Sequence, residues 1–341
     1  NPLASITTEL PVITASELKR IWPRTNDVES CAAERIRIRE EGDKLIFKIL
    51  NNGLSDPKNI EKAKTAFENI LQGKNDKNLT ERALRYDLTI PFARYVAMNY
   101  GQLSFPFKRY QMQPVWRADR PQKGRYREFY QCDADVVGSN SLVNEAELIC
   151  IYATVFEKLG VDVEIKINNR KILTGIAETI GAPDKIIDMT IAIDKFDKVG
   201  WDGVKEELNK KGFTTQQIND LTDFIFAVNE KVMINVDLKN GENAVLHFLE
   251  NGAPQYSSNE NFKNGIKDLK EIWQYSTIFN IQSKIQIDLS LARGLNYYTD
   301  TILEVKAKNV QMGSIGGGGR YDDLTGLFGV PNIPGVGISF G

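Results

Sequence analysis

The sequence contains few of the residues that metal sites and covalent catalysis require. Its 341 residues include one histidine and three cysteines, and no CxxC pair occurs. An odd cysteine count without metal-ligand spacing argues against a disulfide framework and a zinc site. We therefore expect no metal held by side chains and a reducing, cytoplasmic compartment. His247 lies in an amphipathic stretch, which favours a structural or surface role over acid–base catalysis.

Long apolar runs and an excess of charge are also missing. No run approaches the roughly 18 apolar residues that span a bilayer, and residues 1–19 lack the pattern of a signal peptide. These absences predict no membrane association. Lys and Arg number 43 and Asp and Glu number 45, so the net charge of −2 gives no global sign of nucleic-acid binding. The chain begins without Met and ends in a glycine-rich run at Gly341, and we expect a fragment at one end or both.

Hydrophobic periodicity predicts an α+β fold. Residues 161–167 alternate between apolar and polar side chains, as in a half-buried strand. Residues 171–280 change to a Lys-, Glu- and Asn-rich helical pattern, and alternation returns over 285–289 and 297–305. Long alternation favours an antiparallel sheet flanked by helices, with one covered face. The same patterns predict a strand over 43–50, a helix over 57–72 and a strand around 310–315.

The usual phosphate-binding loops are absent. Gly335 and Gly337 have Phe340 where a dinucleotide fingerprint needs a third glycine, and the run Gly316–Gly319 is followed by Arg320 rather than by the Lys of a P-loop. The glycine run is compatible with a backbone that approaches a ligand closely and equally with a mobile loop. The sequence leaves both interpretations open.

Basic residues are concentrated between Pro106 and Tyr130, where seven cations accompany two carboxylates. Five of the cations are Arg, which suits bidentate phosphate contacts. Aromatic side chains that can stack on a base lie between them. The composition supports a nucleotide or nucleic-acid site and a solvated charged hairpin about equally. A second candidate is Arg293-Gly294 in a strand-like stretch, where an ordinary edge-strand arginine is the alternative.

Five segments, in order along the chain, resemble motifs of the histidyl-tRNA synthetases, a family of class II aminoacyl-tRNA synthetases. Residues 84–94, Leu-Arg-Tyr-Asp-Leu-Thr-Ile-Pro-Phe-Ala-Arg, are similar to the family's histidine-binding strand and loop. Residues 116–131 are similar to motif 2, residues 293–298 and 318–322 to the two histidine signatures, and residues 334–341 to the start of motif 3. The resemblance runs from about residue 40 to 341 and matches the helical stretch by position alone.

The resemblance implies a class II synthetase sheet and the activation of L-histidine with ATP and Mg²⁺, followed by transfer to tRNA(His). It implies that Arg117 and Arg293 are catalytic residues at the α-phosphate, with Arg293 also bridging the substrate carboxylate. The implied ATP-binding residues are Arg117, Asp119, Arg125 and Phe129, of which Phe129 stacks on adenine. The implied histidine-binding residues are Asp87, Thr89 and Gln131 at the ammonium, Asp135 and Tyr298 at the imidazole, and Tyr297 in the pocket wall. The glycine-rich loop contributes Gly318, Gly319 and Arg320.

The implied domain order has four parts. An unplaced segment covers 1–39, a first catalytic part 40–170, a helical insertion 171–280 and a second catalytic part 281–341. Residues 1–39 do not resemble the family's motif 1, which supplies a dimer interface, so a homodimer is expected for the intact family member and is left open for this chain. The resemblance also implies that residues 334–341 stop before the position of the motif 3 arginine, and that an anticodon-binding domain would come only after it.

Two other functions are weighed against this one. A histidine-sensing regulatory subunit of ATP phosphoribosyltransferase shares the fold. The arginines at 117, 125 and 293 and the long helical insertion favour the synthetase over such a sensor. A generic RNA-binding module is disfavoured by the net charge of −2 and by the lack of an RRM-type aromatic signature.

Overall fold

The computed structural model of the chain describes residues 84–120, 125–234, 243–292, 297–310 and 313–341. The segment 1–39, the strand and helix predicted over 43–50 and 57–72, and Arg293 lie outside these residues. None of the helices within the described ranges is long and apolar enough to cross a membrane.

The described residues form one seven-stranded sheet in the order β1-β2-β7-β6-β5-β3-β4. The strands are β1 (Phe107–Trp116), β2 (Glu128–Val137), β3 (Val163–Asn169), β4 (Ile285–Ile287), β5 (Thr301–Ala307), β6 (Gly316–Arg320) and β7 (Gly335–Phe340). Every neighbouring pair is antiparallel except β3 and β4, which are parallel. The predicted α+β fold with a mostly antiparallel sheet is therefore confirmed.

Eight α-helices accompany the sheet in the described ranges. They are α1 (Thr89–Asn99), α2 (Val143–Lys158), α3 (Arg170–Thr179), α4 (Ile186–Ile193), α5 (Phe196–Lys210), α6 (Thr215–Ile234), α7 (Ala244–Asn251) and α8 (Glu260–Ile278). The six helices α3 to α8 lie between β3 and β4, in the stretch where the sequence predicts a helical insertion. One hydrophobic core joins β3 to these helices through residues such as Ile165, Ile172 and Leu269.

Helix α8 illustrates how the sequence builds this helical stretch. The side chain of Asn259 accepts a hydrogen bond from the backbone N–H of Phe262 and so caps the first turn. Phe262, Ile266 and Leu269 follow at spacings of four and three residues and are all buried. The spacing places them on one stripe of the helix, which packs against α3, α2 and β3.

Alternation along β2 separates two buried layers. Ala134 and Val136 belong to the large core that includes α2, and we call this side of the sheet the helix face. Successive strand residues point to opposite sides, so Asp133, Asp135 and Val137 lie on the other side. Val137 packs there in a smaller cluster with residues of α1, and we call this side the α1 face.

Two predicted strands begin later in the structure than the sequence pattern indicates. The alternation from Tyr297 predicts a strand that in the structure begins only at Thr301, and the strand predicted around 310–315 begins at Gly316. The glycine run is thus strand β6 in the centre of the sheet rather than a loop. A Cβ at Gly318 would overlap the carbonyl oxygen of Gly337 on β7, so glycine permits this close approach. Because glycine has a low strand propensity, composition conceals the strand.

Candidate active site

A row of functional side chains lies on the α1 face of β2. Phe129, Gln131, Asp133 and Asp135 occupy alternate positions of this strand and so share one face. Their antiparallel partners on β1 are Val115, Gln113, Gln111 and Arg109. The strand pair therefore presents an aromatic ring at one end, two carboxylates at the other and amides between them.

Asp135 is the most enclosed member of this row, with 2% of its surface exposed. The hydroxyl of Tyr321 donates to its Oδ1 at 2.6 Å, and Nη2 of Arg109 lies 3.0 Å from its Oδ2. Burial raises the pKa of Asp135 to about 7, although Arg109 and Tyr321 both act to lower it. Gly337 faces it on β7, where any Cβ would overlap Oδ1. Glycine at this position makes room for the carboxylate.

The sequence motifs did not assign a role to Asp133, which lies between Gln131 and Asp135 and is 4% exposed. Burial raises its pKa to about 6, against the lowering effect of a hydrogen bond with Ser339. Among the described residues its Oδ1 has no hydrogen-bond partner. Gln131 donates from Nε2 to Oγ of Ser339 at 2.7 Å. Alternation with Gln131 and Asp135 is the signal that points to Asp133.

The segment before α1 brings a third carboxylate to this face. Oδ1 of Asp87 accepts from the backbone N–H of Ile90 at 3.2 Å, and its Oδ2 accepts from the Tyr297 hydroxyl at 3.0 Å. Thr89 is buried at the first turn of α1 and also hydrogen-bonds Tyr297. The rings of Tyr297 and Tyr298 meet edge to face at 4.8 Å. Burial raises the pKa of Asp87 and of both tyrosines, so the phenols stay protonated donors.

Arg117 follows β1 at the end of the row that carries Phe129. Its guanidinium carbon lies 4.5 Å from the ring centroid of Tyr86 and 5.0 Å from that of Phe129. Its Nε is buried and has no hydrogen-bond partner in the described part of the chain. A half-buried guanidinium with an unused, buried Nε donor is suited to an anion.

Two predicted ATP-binding residues lie further out along the hairpin. Nε of Arg125 is 3.8 Å from Oδ2 of Asp119, and both side chains are about half exposed. Arg127 donates to the backbone carbonyl of Asp119 at 3.4 Å. These contacts hold the two arms of the hairpin together, and the ATP-binding roles of Arg125 and Asp119 stay predictions.

A cavity of about 710 Å³ borders the site on the side of α1. Asp87 and Tyr297 lie in its wall, together with Tyr86, Leu324 and Leu327. The β2 row is not part of that wall. Within the described ranges, no group of three His, Cys, Asp or Glu residues has the arrangement to hold a metal ion.

Comparison with known proteins shows the family of the chain. Residues 60–341 match the family model for histidyl-tRNA synthetase. The chain belongs to the histidyl-tRNA synthetase family. It is 50% identical over 322 residues to the histidine–tRNA ligase of Phocaeicola vulgatus, covering 93% of this chain and 66% of that protein. It is 53% identical to the histidine–tRNA ligase of Bacteroides fragilis, covering 89% of this chain and 63% of that protein.

Solved structures agree with the family assignment. The histidyl-tRNA synthetase of Nostoc sp. PCC 7120 matches with a TM-score of 0.66 and 35% identity, over 76% of this chain and 57% of that chain. An ATP phosphoribosyltransferase regulatory subunit/histidyl-tRNA synthetase from Bacillus halodurans matches at 18% identity with a TM-score of 0.61, which shows the fold alone. The chain spans about two thirds of the length of the curated relatives it matches.

The histidyl-tRNA synthetase signature at 318–322 has a different structural role from the predicted loop. Gly318 and Gly319 are strand residues of β6, and Arg320 ends the strand. Arg320 pairs with Val336, a residue of the large core, and its guanidinium binds Glu145 of α2 through two nitrogens. Arg320 therefore lies on the helix face, away from the β2 row, and is not placed to bind a ligand there.

The structure brings most of the predicted histidine-synthetase residues together. Predicted residues on or beside the α1 face are Asp87, Thr89, Arg117, Phe129, Gln131, Asp135, Tyr297 and Tyr298. Arg293 lies outside the described residues, and its role stays a prediction. The motifs assigned no role to Arg109, Asp133, Tyr321 and Ser339, which contact or neighbour predicted residues. Strand register brings Arg109 and Ser339 to the site from distant segments, so the basic stretch and the motif 3 segment that contain them do not by themselves predict these contacts.

Proposed function

We propose that this chain activates L-histidine with ATP to form histidyl-adenylate and pyrophosphate, and transfers the histidyl group to tRNA(His). The observation that carries the proposal is the row on β2, with Arg117 beside Phe129 at one end and the buried Asp135 at the other. An aromatic plate and a guanidinium suit a nucleotide. A buried carboxylate beside phenol donors suits an imidazole, which hydrogen-bonds at both nitrogens.

Three carboxylates support an amino-acid substrate. Asp87, Asp133 and Asp135 outnumber the guanidiniums of Arg109 and Arg117 that face them. A ligand ammonium would restore the balance of charge on this buried face. Asp87, with Thr89 and Gln131, takes the ammonium in this proposal, and Asp135 with Tyr298 takes the imidazole. Apolar analogues would leave these buried groups unpaired, which supplies specificity.

The first step needs no general base. The histidine carboxylate is already a nucleophile; it attacks the α-phosphorus of ATP, and the bond to the pyrophosphate oxygen breaks. Both reactants are anions, so Arg117 offsets their repulsion and stabilises the charge that develops at phosphorus. Arg293 has the same role in the proposal. Stacking on Phe129 holds the adenine and reduces the entropic cost of alignment.

In the second step a hydroxyl of the terminal tRNA ribose attacks the histidyl carbonyl carbon, and AMP leaves. The basic hairpin that carries Arg117 and Arg125 supports a role in holding the acceptor end of the tRNA. Mg²⁺ would accompany the triphosphate of ATP and neutralise part of its charge, because phosphate oxygens are the hard anionic ligands that it prefers. A reaction that uses ATP and tRNA agrees with the proposed cytoplasmic location.

Histidine-dependent ATP–pyrophosphate exchange tests the proposal, with the other nineteen amino acids as controls. We expect exchange with histidine alone, and its loss in Arg117→Gln. Histidine binding by calorimetry without exchange, both in this chain and in one extended through the motif 3 arginine, would overturn the synthetase proposal in favour of a histidine sensor. No binding of histidine at all would overturn both functions.

A further inference from the structure

Arg109 is a buried cation with no role in the reaction as proposed above. It lies on β1 directly opposite Asp135, and 9% of its side chain is exposed. Its guanidinium carbon lies 4.1 Å from the ring centroid of Phe92 on α1. Burying a guanidinium is costly unless its donors are used. Its partners therefore indicate what it does.

The partners of Arg109 come from two parts of the substrate site. Nη2 lies 3.0 Å from Oδ2 of Asp135 and donates to the backbone carbonyl of Leu88 at 3.1 Å. Nη1 donates to Oε1 of Gln111 at 2.7 Å. Leu88 lies between Asp87 and Thr89, the pair that takes the ammonium. A single guanidinium thus touches both the imidazole end and the ammonium end of the site.

We propose that Arg109 is a positioning residue for the substrate: it keeps the Asp135 carboxylate ionised as the imidazole acceptor and ties it to the 87–89 segment. The proposal rests on the proposed function, since it concerns the same histidine site. Arg109 acts through Asp135 and Leu88 and does not itself touch the reacting atoms. The guanidinium matters because Nη2 meets both Asp135 and Leu88 while Nη1 donates to Gln111, so three partners fix its plane, whereas an ammonium offers a single nitrogen.

Ionisation of Asp135 depends on several groups. Arg109 and the Tyr321 hydroxyl favour the charged form, while burial and two neighbouring carboxylates oppose it. The charged and titratable groups facing Asp135 are Arg109 on β1, Asp133 on β2, Asp87 before α1, Tyr298 before β5 and Tyr321 after β6. Arg109 is the one cation in this described set. Its removal is therefore expected to raise the pKa of Asp135 further.

Carboxyl ¹³C NMR of the ligand-free chain with labelled aspartate tests the ionisation directly, and Asp135→Asn assigns the resonance. We expect Arg109→Gln to raise the titration midpoint of Asp135 by about one pH unit or more. Arg109→Lys should keep it near the unaltered value. Lys108→Gln is the matched control, because Lys108 lies next in the chain but binds the exposed Glu147. An unchanged midpoint in Arg109→Gln would overturn the proposal.

Calorimetric titration with L-histidine between pH 5.5 and 8.5 tests the consequence. As pH falls through the pKa of Asp135, the carboxylate takes up a proton and loses its charge-assisted hydrogen bond to the imidazole. In Arg109→Gln this loss of affinity should begin at higher pH, whereas ATP affinity stays unchanged. The imidazole of free histidine titrates identically with every variant, so differences between variants report on the protein.

Arg109→Lys keeps the proposal falsifiable if Arg109→Gln does not fold. Its charge preserves the Asp135 midpoint, but the contact with Leu88 is lost, so histidine affinity should fall about tenfold at every pH. Full affinity in Arg109→Lys would overturn the link to the 87–89 segment. Absence of histidine binding by the unaltered chain would contradict the proposed function. The ligand-free NMR midpoints would still decide whether Arg109 sets the ionisation of Asp135.

Discussion

Two buried carboxylate–guanidinium pairs lie on opposite faces of the same sheet. On the helix face, Glu145 is 0% exposed and binds Arg320 through contacts of 2.6 Å at Nε and 2.8 Å at Nη2. On the α1 face, Asp135 meets Arg109 through one nitrogen at 3.0 Å and shares its other oxygen with Tyr321. The first pair is closed on itself, whereas the second spreads its contacts over several elements.

The difference explains why one pair is structural and the other suits a ligand. A bidentate pair uses the fork of the guanidinium and both carboxylate oxygens, and it clamps α2 to the end of β6. The remaining nitrogen of Arg320 lies 3.3 Å from the carbonyl oxygen of Ser139 and from Asp322. Asp135 keeps lone pairs that its two partners do not use, so it can accept one more donor. The same two kinds of side chain, a carboxylate and a guanidinium, thus form a structural clamp on the helix face and a hydrogen-bond acceptor for a ligand on the α1 face.

Breaking the closed pair should have the largest effect. Arg320→Leu leaves Glu145 buried without a partner, and we expect the free energy of unfolding to fall by about 3–5 kcal/mol. Urea denaturation followed by circular dichroism measures this loss. Burial already raises the pKa of Glu145, so the abandoned carboxyl should take up a proton rather than stay charged.

The double variant Glu145→Leu/Arg320→Leu is the control for this experiment. Replacing both partners removes the unpaired charge, so the double variant should be more stable than Arg320→Leu alone. The single variant Glu145→Leu completes the comparison. If the losses of stability in Arg320→Leu and Glu145→Leu simply add in the double variant, the pair is not coupled, and the description of a clamp is wrong.

Breaking the open pair should affect ligand binding more than stability. Asp135→Asn replaces a charged acceptor by a neutral one, and we expect histidine affinity to fall by about 10- to 150-fold, from about 1.5–3 kcal/mol for a hydrogen bond to a charged group. ATP affinity should stay within about twofold, because Phe129 and Arg117 lie at the other end of the row. Calorimetry with each ligand measures the split.

Asp162→Asn is a matched control for this prediction, since Asp162 is exposed and lies before β3. It should alter neither affinity. Equal losses of histidine and ATP affinity in Asp135→Asn would contradict the division of the row into two ends.

The two pairs also mark what the sequence can and cannot predict. The motif around Gln131 indicates Asp135, and strand alternation then extends to Asp133. Arg320 stands in an equally recognisable motif, yet its side chain lies on the opposite face. A motif indicates that Arg320 is important, but the face of the sheet on which its side chain lies depends on where β6 starts. The glycine run hides that start, because glycine is not typical of strands.

The partners of the pairs depend on register rather than on local pattern. Arg109 and Asp135 lie on the two successive strands β1 and β2, and Glu145 precedes Arg320 by 175 positions. Periodicity predicts β3 and the helices of the 171–280 stretch because each buries a stripe of its own. Periodicity does not predict which strand lies beside β2. The neighbour is β7, and this pairing places Gly337 opposite Asp135.

Crowding the open pair gives the smallest and most specific effect. Gly337→Ala places a Cβ on Oδ1 of Asp135, so the carboxylate must move and its hydrogen bond from Tyr321 is disturbed. We expect a loss of about 1–3 kcal/mol in the free energy of unfolding, together with weaker histidine binding. Urea denaturation and calorimetry measure the two effects.

Gly317→Ala on the adjacent strand β6 is the matched control for Gly337→Ala. The nearest atom to its Cβ is the carbonyl oxygen of Leu303 at 3.6 Å, an ordinary contact. We expect it to change stability by less than about 0.5 kcal/mol and to leave histidine affinity unaltered. If both substitutions cost the same, the effect belongs to glycine in a strand and not to Asp135. A loss confined to Gly337→Ala would instead mean that the position of the Asp135 carboxylate is restricted. Arg109 on β1 contacts this carboxylate through one nitrogen only, but β7 packs against it from the opposite side.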